Sequence, residues 1–169
     1  MPARLRVDDF FTYVRSLYPT WQRGLERQLR RQLGLPADRR IGALSHGMRL
    51  KLALACALPF RPRLLILDEP FSGLDALVRD EIISGFIQQL DQLSILISSH
   101  ELDELERLAT HVAFLDAGRL LFQGTLAELR QHARSTALSS PTHPPSLRDI
   151  FTSMARAERD RTGCYGEPR

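Results

Sequence analysis

The chain has 169 residues, 43% of them hydrophobic, which is enough for one cored domain or most of a larger one and excludes overall disorder. Its two cysteines, Cys56 and Cys164, stand far apart with no CxxC spacing; that excludes a disulfide framework and a zinc cluster and leaves both as free thiols. The net charge of +3 hides an asymmetry, since residues 1–63 hold 13 basic against 4 acidic side chains while residues 64–169 hold 10 against 16.

Arginine accounts for almost all of the basic side chains, and Lys51 is the single lysine. Arginines spread along helices read as solvated surface, and without aromatic residues interleaved among them nucleic acid is not an expected partner. No stretch approaches the roughly 18 unbroken apolar residues of a membrane span, and the start, Met1-Pro2-Ala3-Arg4, lacks the apolar segment of a secretory signal. A soluble cytosolic protein is the expectation.

Apolar residues Phe10, Phe11, Val14 and Leu17, then Leu25, Leu29 and Leu33, recur at helical spacing with Pro19 between them, predicting two short helices. Gly34 and Pro36 close the second. Ser45 is a good N-cap for a Leu- and Ala-rich helix over 48–58, which Pro59 ends. Residues 64–67, Leu-Leu-Ile-Leu, form the continuous apolar run of a strand buried on both faces of a parallel sheet, with Asp68-Glu69 at its carboxyl end.

A helix over 76–90 follows, then a second buried-type strand over 93–97 that ends in Ser98-Ser99-His100, and a helix over 101–108. Residues 112–115 and 120–123 read as strands joined by the tight turn Asp116-Ala117-Gly118-Arg119. Thr125 with Glu128 makes a capping box for a last core helix. Residues 135–146, rich in Ser, Thr and Pro, read as a linker, and an amphipathic helix runs from 147 to about 157. Buried strands alternating with helices, preceded by a helical segment, argue for an α/β core.

Two carboxylates at the carboxyl edge of a parallel sheet sit where α/β proteins bind their ligands. Asp68 is suited to hold Mg²⁺ and Glu69 to orient or deprotonate a water. Ordinary solvated acids at a strand end are the competing reading, and hhhhDE alone does not decide between them. His100-Glu101 lacks the second histidine of HExxH, because Glu104 stands in its place, so a zinc peptidase is excluded.

The motif does not stand alone. Leu44-Ser45-His46-Gly47-Met48, Asp68-Glu69-Pro70, Ser72-Gly73-Leu74-Asp75 and Ser99-His100 follow in order, and with them residues 7–154 resemble an ABC ATPase. The four correspond to that family's signature motif, Walker B, D-loop and switch histidine. The wording Tyr18-Pro19-Thr20-Trp21 and the run from Ser98 to Glu104 look most like the ATPase subunits of bacterial exporters.

The resemblance implies an ATP-binding subunit that hydrolyses ATP with Mg²⁺ to drive transport. It sits in the cytoplasm on the inner face of the membrane, with a membrane-spanning permease and a second ATPase domain, closed head to tail, as partners. Ser45, His46, Gly47 and Met48 would face the γ-phosphate of a nucleotide on the opposite domain, Asp68 would hold the metal, and Glu69 and His100 would be catalytic. Ser72, Gly73, Leu74 and Asp75 would form the D-loop. His46 and Met48 depart from the family's usual Gly and Gln, and the phosphate contact there comes largely from Ser45 and backbone amides.

Several family elements are missing from these 169 residues: no GxxxxGK[ST] run occurs and Lys51 lies in the signature helix, and the aromatic residue that stacks on adenine and the glutamine loop, which the resemblance places upstream, are absent too. The expected fold is an incomplete P-loop NTPase (RecA-like) α/β core with the ABC helical subdomain at its N-terminus. By family topology a central strand is absent between the strands at 93–97 and 112–115. The segments expected are a helical subdomain with the signature over 1–60, a partial core over 61–134, a linker over 135–146, and a short helix and tail over 147–169.

Alone, such a chain is expected not to hydrolyse ATP. The alternatives are a split ATPase completed by another polypeptide, a non-catalytic module lending its signature motif to a partner, and a DNA-repair ABC-type ATPase.

Overall fold

A computed structural model describes residues 1–87, 93–135 and 145–162. The chain falls into two compact units, Met1–His100 and Glu101–Arg169.

The first unit begins with α1 (Val7–Leu17), α2 (Arg23–Gln32), a 3₁₀ turn (Ile41–Ala43) and α3 (His46–Ala57). The two helices predicted before residue 34 are thus present. Their apolar faces meet in one core of Val7, Phe11, Leu29, Leu33, Ile41, Leu44 and Leu52. Gly34, at φ 61°, ends α2 by letting the Leu35 amide reach back to the Arg30 carbonyl at 3.0 Å.

Inside the packing sits a charge, for Glu26 is only 2% exposed. Its carboxylate accepts from Arg15 Nη2 at 2.8 Å, Arg15 Nε at 3.1 Å, Trp21 Nε1 at 2.8 Å and Arg30 Nη1 at 3.3 Å. Arg30 also reaches Asp8 at 2.7 Å and lies 4.7 Å from the Phe11 ring centroid. Burial pushes the Glu26 carboxyl up, but the hydrogen bonds from Arg15, Trp21 and Arg30 outweigh it and leave the group below its ordinary range.

The unit continues with β1 (Leu64–Asp68), α4 (Ala76–Ile87) and β2 (Ser94–Ser98). Residues 88–90, the end expected for the helix of α4, lie outside the described residues. β1 and β2 pair in parallel from Leu64↔Ser94 to Asp68↔Ser98, so Asp68 and Ser98 stand side by side at the carboxyl end.

Burial on both faces, expected of these strands, is not found. Leu64, Ile66 and Leu96 are 53%, 65% and 60% exposed, and the alternate residues Leu65, Leu67, Ile95 and Ile97 are half-buried. The physical reason is the size of the sheet: β1 pairs only with β2 among the described residues, and no layer covers the face carrying those three side chains.

The second unit holds α5 (Leu102–Leu105), β3 (His111–Asp116), β4 (Arg119–Thr125), α6 (Leu126–Ser135) and α7 (Leu147–Thr162). α5 is shorter than the helix predicted over 101–108, because Glu101 provides no side-chain cap and the amides of Leu108 and Ala109 both turn back to the Leu105 carbonyl. β3 and β4 form the predicted hairpin, with Ala117 and Gly118 both at positive φ, as a two-residue turn of this hand requires.

The Thr125–Glu128 capping box is present, with Glu128 N donating to Thr125 Oγ1 at 3.1 Å and Thr125 N to Glu128 Oε2 at 2.7 Å. Ser146 and Asp149 repeat the device at the start of α7. α7 runs past residue 157 to Thr162, since no Gly or Pro interrupts it and Arg159 and Glu158 tie it to Asp116 and Arg119 of the hairpin. Phe114, Leu129, Ala133, Leu147 and Ile150 form this unit's core. Most of the predicted linker lies outside the described residues.

Candidate active site

The carboxyl end of β1 carries Asp68 and Glu69, and the end of β2 carries Ser98 and His100. Parallel pairing in register makes them neighbours although some thirty residues separate them in sequence. Ser98 is the link, its hydroxyl donating to Asp68 Oδ1 at 2.5 Å and accepting from the Glu69 amide at 3.1 Å. The same amide also lies 3.1 Å from the Ser98 carbonyl.

Glu69 itself sits at φ 44°, the left-handed region that costs a non-glycine residue about 1–2 kcal/mol. Such strain persists only where the surroundings fix it, and it concentrates at functional sites. Glu69 Oε2 is shut off from solvent and stands 2.9 Å from His100 Nδ1, the geometry of an ion pair rather than of an aligned hydrogen bond. The His100 side chain is 69% exposed, so it is not a packed core histidine.

The signature segment starts α3. Ser45 is the N-cap, its hydroxyl accepting from the Met48 amide at 3.2 Å. That bond satisfies one first-turn amide; the earlier ones have no intrahelical acceptor and leave a positive helix end suited to an anion. His46 is exposed, Gly47 buried and Met48 half-buried. Ile41, His46 and Arg49 face Asp68, Glu69 and Pro70 across an open concavity of about 390 Å³. One concavity therefore joins the signature segment to the acidic strand end in the same chain, a proximity that sequence spacing alone does not reveal.

The D-loop segment has structural work of its own. Gly73 takes φ 71°, Leu74 is buried, and Asp75 Oδ1 accepts from the Val78 amide at 2.9 Å as the cap of α4. Ser72 is half-buried, its amide 3.3 Å from the Glu69 carbonyl. Lys51 pairs with Glu81 of α4. The sole lysine is thus committed between two helices and is not placed to neutralise a phosphate.

Comparison with known proteins matches residues 9–72 to the family model "ABC transporter". ABC transporter ATP-binding protein YtrB of Bacillus subtilis is 30% identical over 139 residues, covering 78% of this chain and 48% of the relative. The molybdenum import ATP-binding protein ModC of Rhodopseudomonas palustris is 42% identical over 133 residues, covering 76% and 33%.

The chain belongs to the ABC transporter nucleotide-binding family.

It spans about half the length of YtrB and a third of that of ModC. A solved ATP-binding subunit of an ABC transporter shares its fold with a TM-score of 0.75 at 24% identity, covering 92% of this chain and 64% of the other. The fold is accordingly that of P-loop NTPases, of the α/β class.

ABC nucleotide-binding domains imply ATP and Mg²⁺. Asp68 fits a magnesium ion, being an exposed carboxylate held by Ser98 through one oxygen. Among the described residues no three His, Cys, Asp or Glu side chains converge on a metal. A phosphate cradle of this chain's own does not fit, since no GxxxxGK[ST] is present and Lys51 is paired. Ser98 is a site residue that the sequence does not mark by itself; its only signal is its place directly after the run Leu93–Ile97 and two residues before His100.

Proposed function

We propose that the chain serves as the ATP-binding part of an ABC transporter, with Glu69 and His100 as its hydrolytic residues and Asp68 as the metal ligand. The observation that carries this reading is Glu69, held in a left-handed conformation at the strand end by Ser98 and against His100. With Oε2 held by the imidazole, Oε1 is the oxygen available to orient or deprotonate a water. Mg²⁺, when bound, would neutralise phosphate charge beside Asp68. The exposed start of α3, from Ser45 through Met48, would receive the terminal phosphate of a nucleotide carried by an opposite domain, and Ser72 through Asp75 would lie along that junction.

The partners on this reading are a membrane-spanning permease and a second ATPase domain, at the cytoplasmic face of the membrane. Among the described residues no helix is long and apolar enough to cross one. The wording around Tyr18–Trp21 and Ser98–Glu104 supports an exporter, whereas the likeness to ModC supports import. Reconstitution with a candidate membrane-spanning permease, followed by transport measured in each direction, decides between them.

Supplying the chain with the N-terminal segment of a relative that bears GxxxxGK[ST] is the test of function. Turnover should then fall by orders of magnitude in Glu69→Gln and His100→Ala while ATP binding stays measurable. Equal turnover in both variants rejects these roles.

A second reading, a split ATPase completed by another polypeptide, is favoured by the uncovered face of β1 and β2. On it the chain alone shows no ATPase activity, and adding the missing segment as a separate chain restores it.

A further inference from the structure

α2 presents Arg23, Arg27 and Arg31 at four-residue intervals, so three exposed guanidinium groups stand in line on one helix face. None of the three has an ion-pair partner among the described residues. The one acidic residue of the helix, Glu26, faces inward and is spent on Arg15, Trp21 and Arg30. Like charges one helical turn apart repel, and nothing on α2 neutralises them. At the end of the line, Arg27, Arg30 and Arg31 with Gly34 and Leu35 border an open concavity of about 490 Å³.

We propose that this face of α2 is a docking surface for an acidic polypeptide segment, an occupant independent of the ATPase reading. A partner helix with carboxylates at the same four-residue spacing sets one opposite each guanidinium, where planar, forked pairing is available. Its last acidic side chain enters the concavity beside Arg27 and Arg31.

A lipid surface suits the face less well. The exposed residues between the arginines are Gly24, Gln28 and Gln32, while Leu29 is buried in the core and Leu25 packs against it, so α2 has no exposed apolar side chain to insert. Nucleic acid suits it less as well, because α2 carries no aromatic residue for stacking and the nearby Trp21 is half-buried and bonded to Glu26.

The test uses the full chain and a fluorescent helical peptide with Glu at every fourth position, followed by anisotropy at low and at physiological salt. Binding should weaken with salt and fall about tenfold or more in Arg23→Gln/Arg27→Gln/Arg31→Gln, and stay unchanged in Arg134→Gln/Arg156→Gln. The three arginines are exposed, and a matching thermal melt confirms that the variant folds. Arg27→Glu should in addition be rescued by a peptide with Lys at the facing position. No binding at low salt, an equal loss in the control variant, or tighter arginine-dependent binding of duplex DNA or of phosphatidylglycerol vesicles overturns the proposal.

Discussion

The backbone of Gly47 lies directly on Val78, since a Cβ at position 47 would stand 2.6 Å from Val78 Cγ1 and 3.4 Å from Leu74 Cδ2. The helix of the signature segment and the helix after the D-loop segment therefore meet where only a glycine fits. Val78 is β-branched and sits on a helix, so it has little freedom to move aside. Overpacking of this kind costs about 1–3 kcal/mol, against which alanine returns at most about 1 kcal/mol of helix propensity. Gly47→Ala should lower the urea midpoint without changing the slope, and adding Val78→Ala should recover part of the loss.

Removing the Glu26 carboxylate should be the most damaging single change in the first unit. Glu26→Ala leaves Arg15, Arg30 and Trp21 without their acceptor, and breaking a buried pair in this way costs about 3–5 kcal/mol. The pH dependence has a definite sign. A carboxyl held below its ordinary value stabilises the fold above that value and loses the contribution as pH falls through the depressed one. Chemical denaturation of the unmodified chain should show stability declining below about pH 4.5, and Glu26→Gln should flatten that decline.

Glu69 should trade stability for chemistry. Relief of its left-handed strain returns about 1–2 kcal/mol, less the roughly 0.5–1 kcal/mol of extra backbone entropy a glycine loses. Glu69→Gly is expected to raise the melting temperature by a few degrees while removing the carboxylate proposed for hydrolysis. A lower melting temperature would show that the contact with His100 outweighs the strain.

The Cys56 thiol should be inert in the native chain. Burial pushes it up to about 12, and the nearby negative charge of Glu26 adds to the effect, so almost no thiolate exists at neutral pH. Iodoacetamide should spare Cys56 until denaturant is added, as peptide mapping of the Cys56 peptide checks.

Features fixed by short-range chemistry were legible in the sequence. Ser45 and the Thr125–Glu128 box cap helices through bonds spanning three residues, and the Ala117-Gly118 turn is dictated by the conformations those two residues accept. The strand at 64–68 and its acidic end followed from an unbroken apolar run. What depended on distant partners was not legible. Nothing in the sequence around Glu26 marks it for burial, because Arg15 and Trp21, which make that burial tolerable, lie outside α2. Ser98 acquired its place only when β2 registered against β1. The same apolar run that announced β1 also implied cover on both faces, a matter decided by neighbouring layers and not by the strand.

Trp21, bonded through Nε1 to the buried Glu26, is the only tryptophan in the chain. Its fluorescence is therefore an optical report on α1, α2 and the network between them. Followed beside far-ultraviolet circular dichroism, which senses every helix, the indole emission gives a separate melting curve for the first unit. Divergence of the two curves would show Met1–His100 and Glu101–Arg169 losing structure in separate steps.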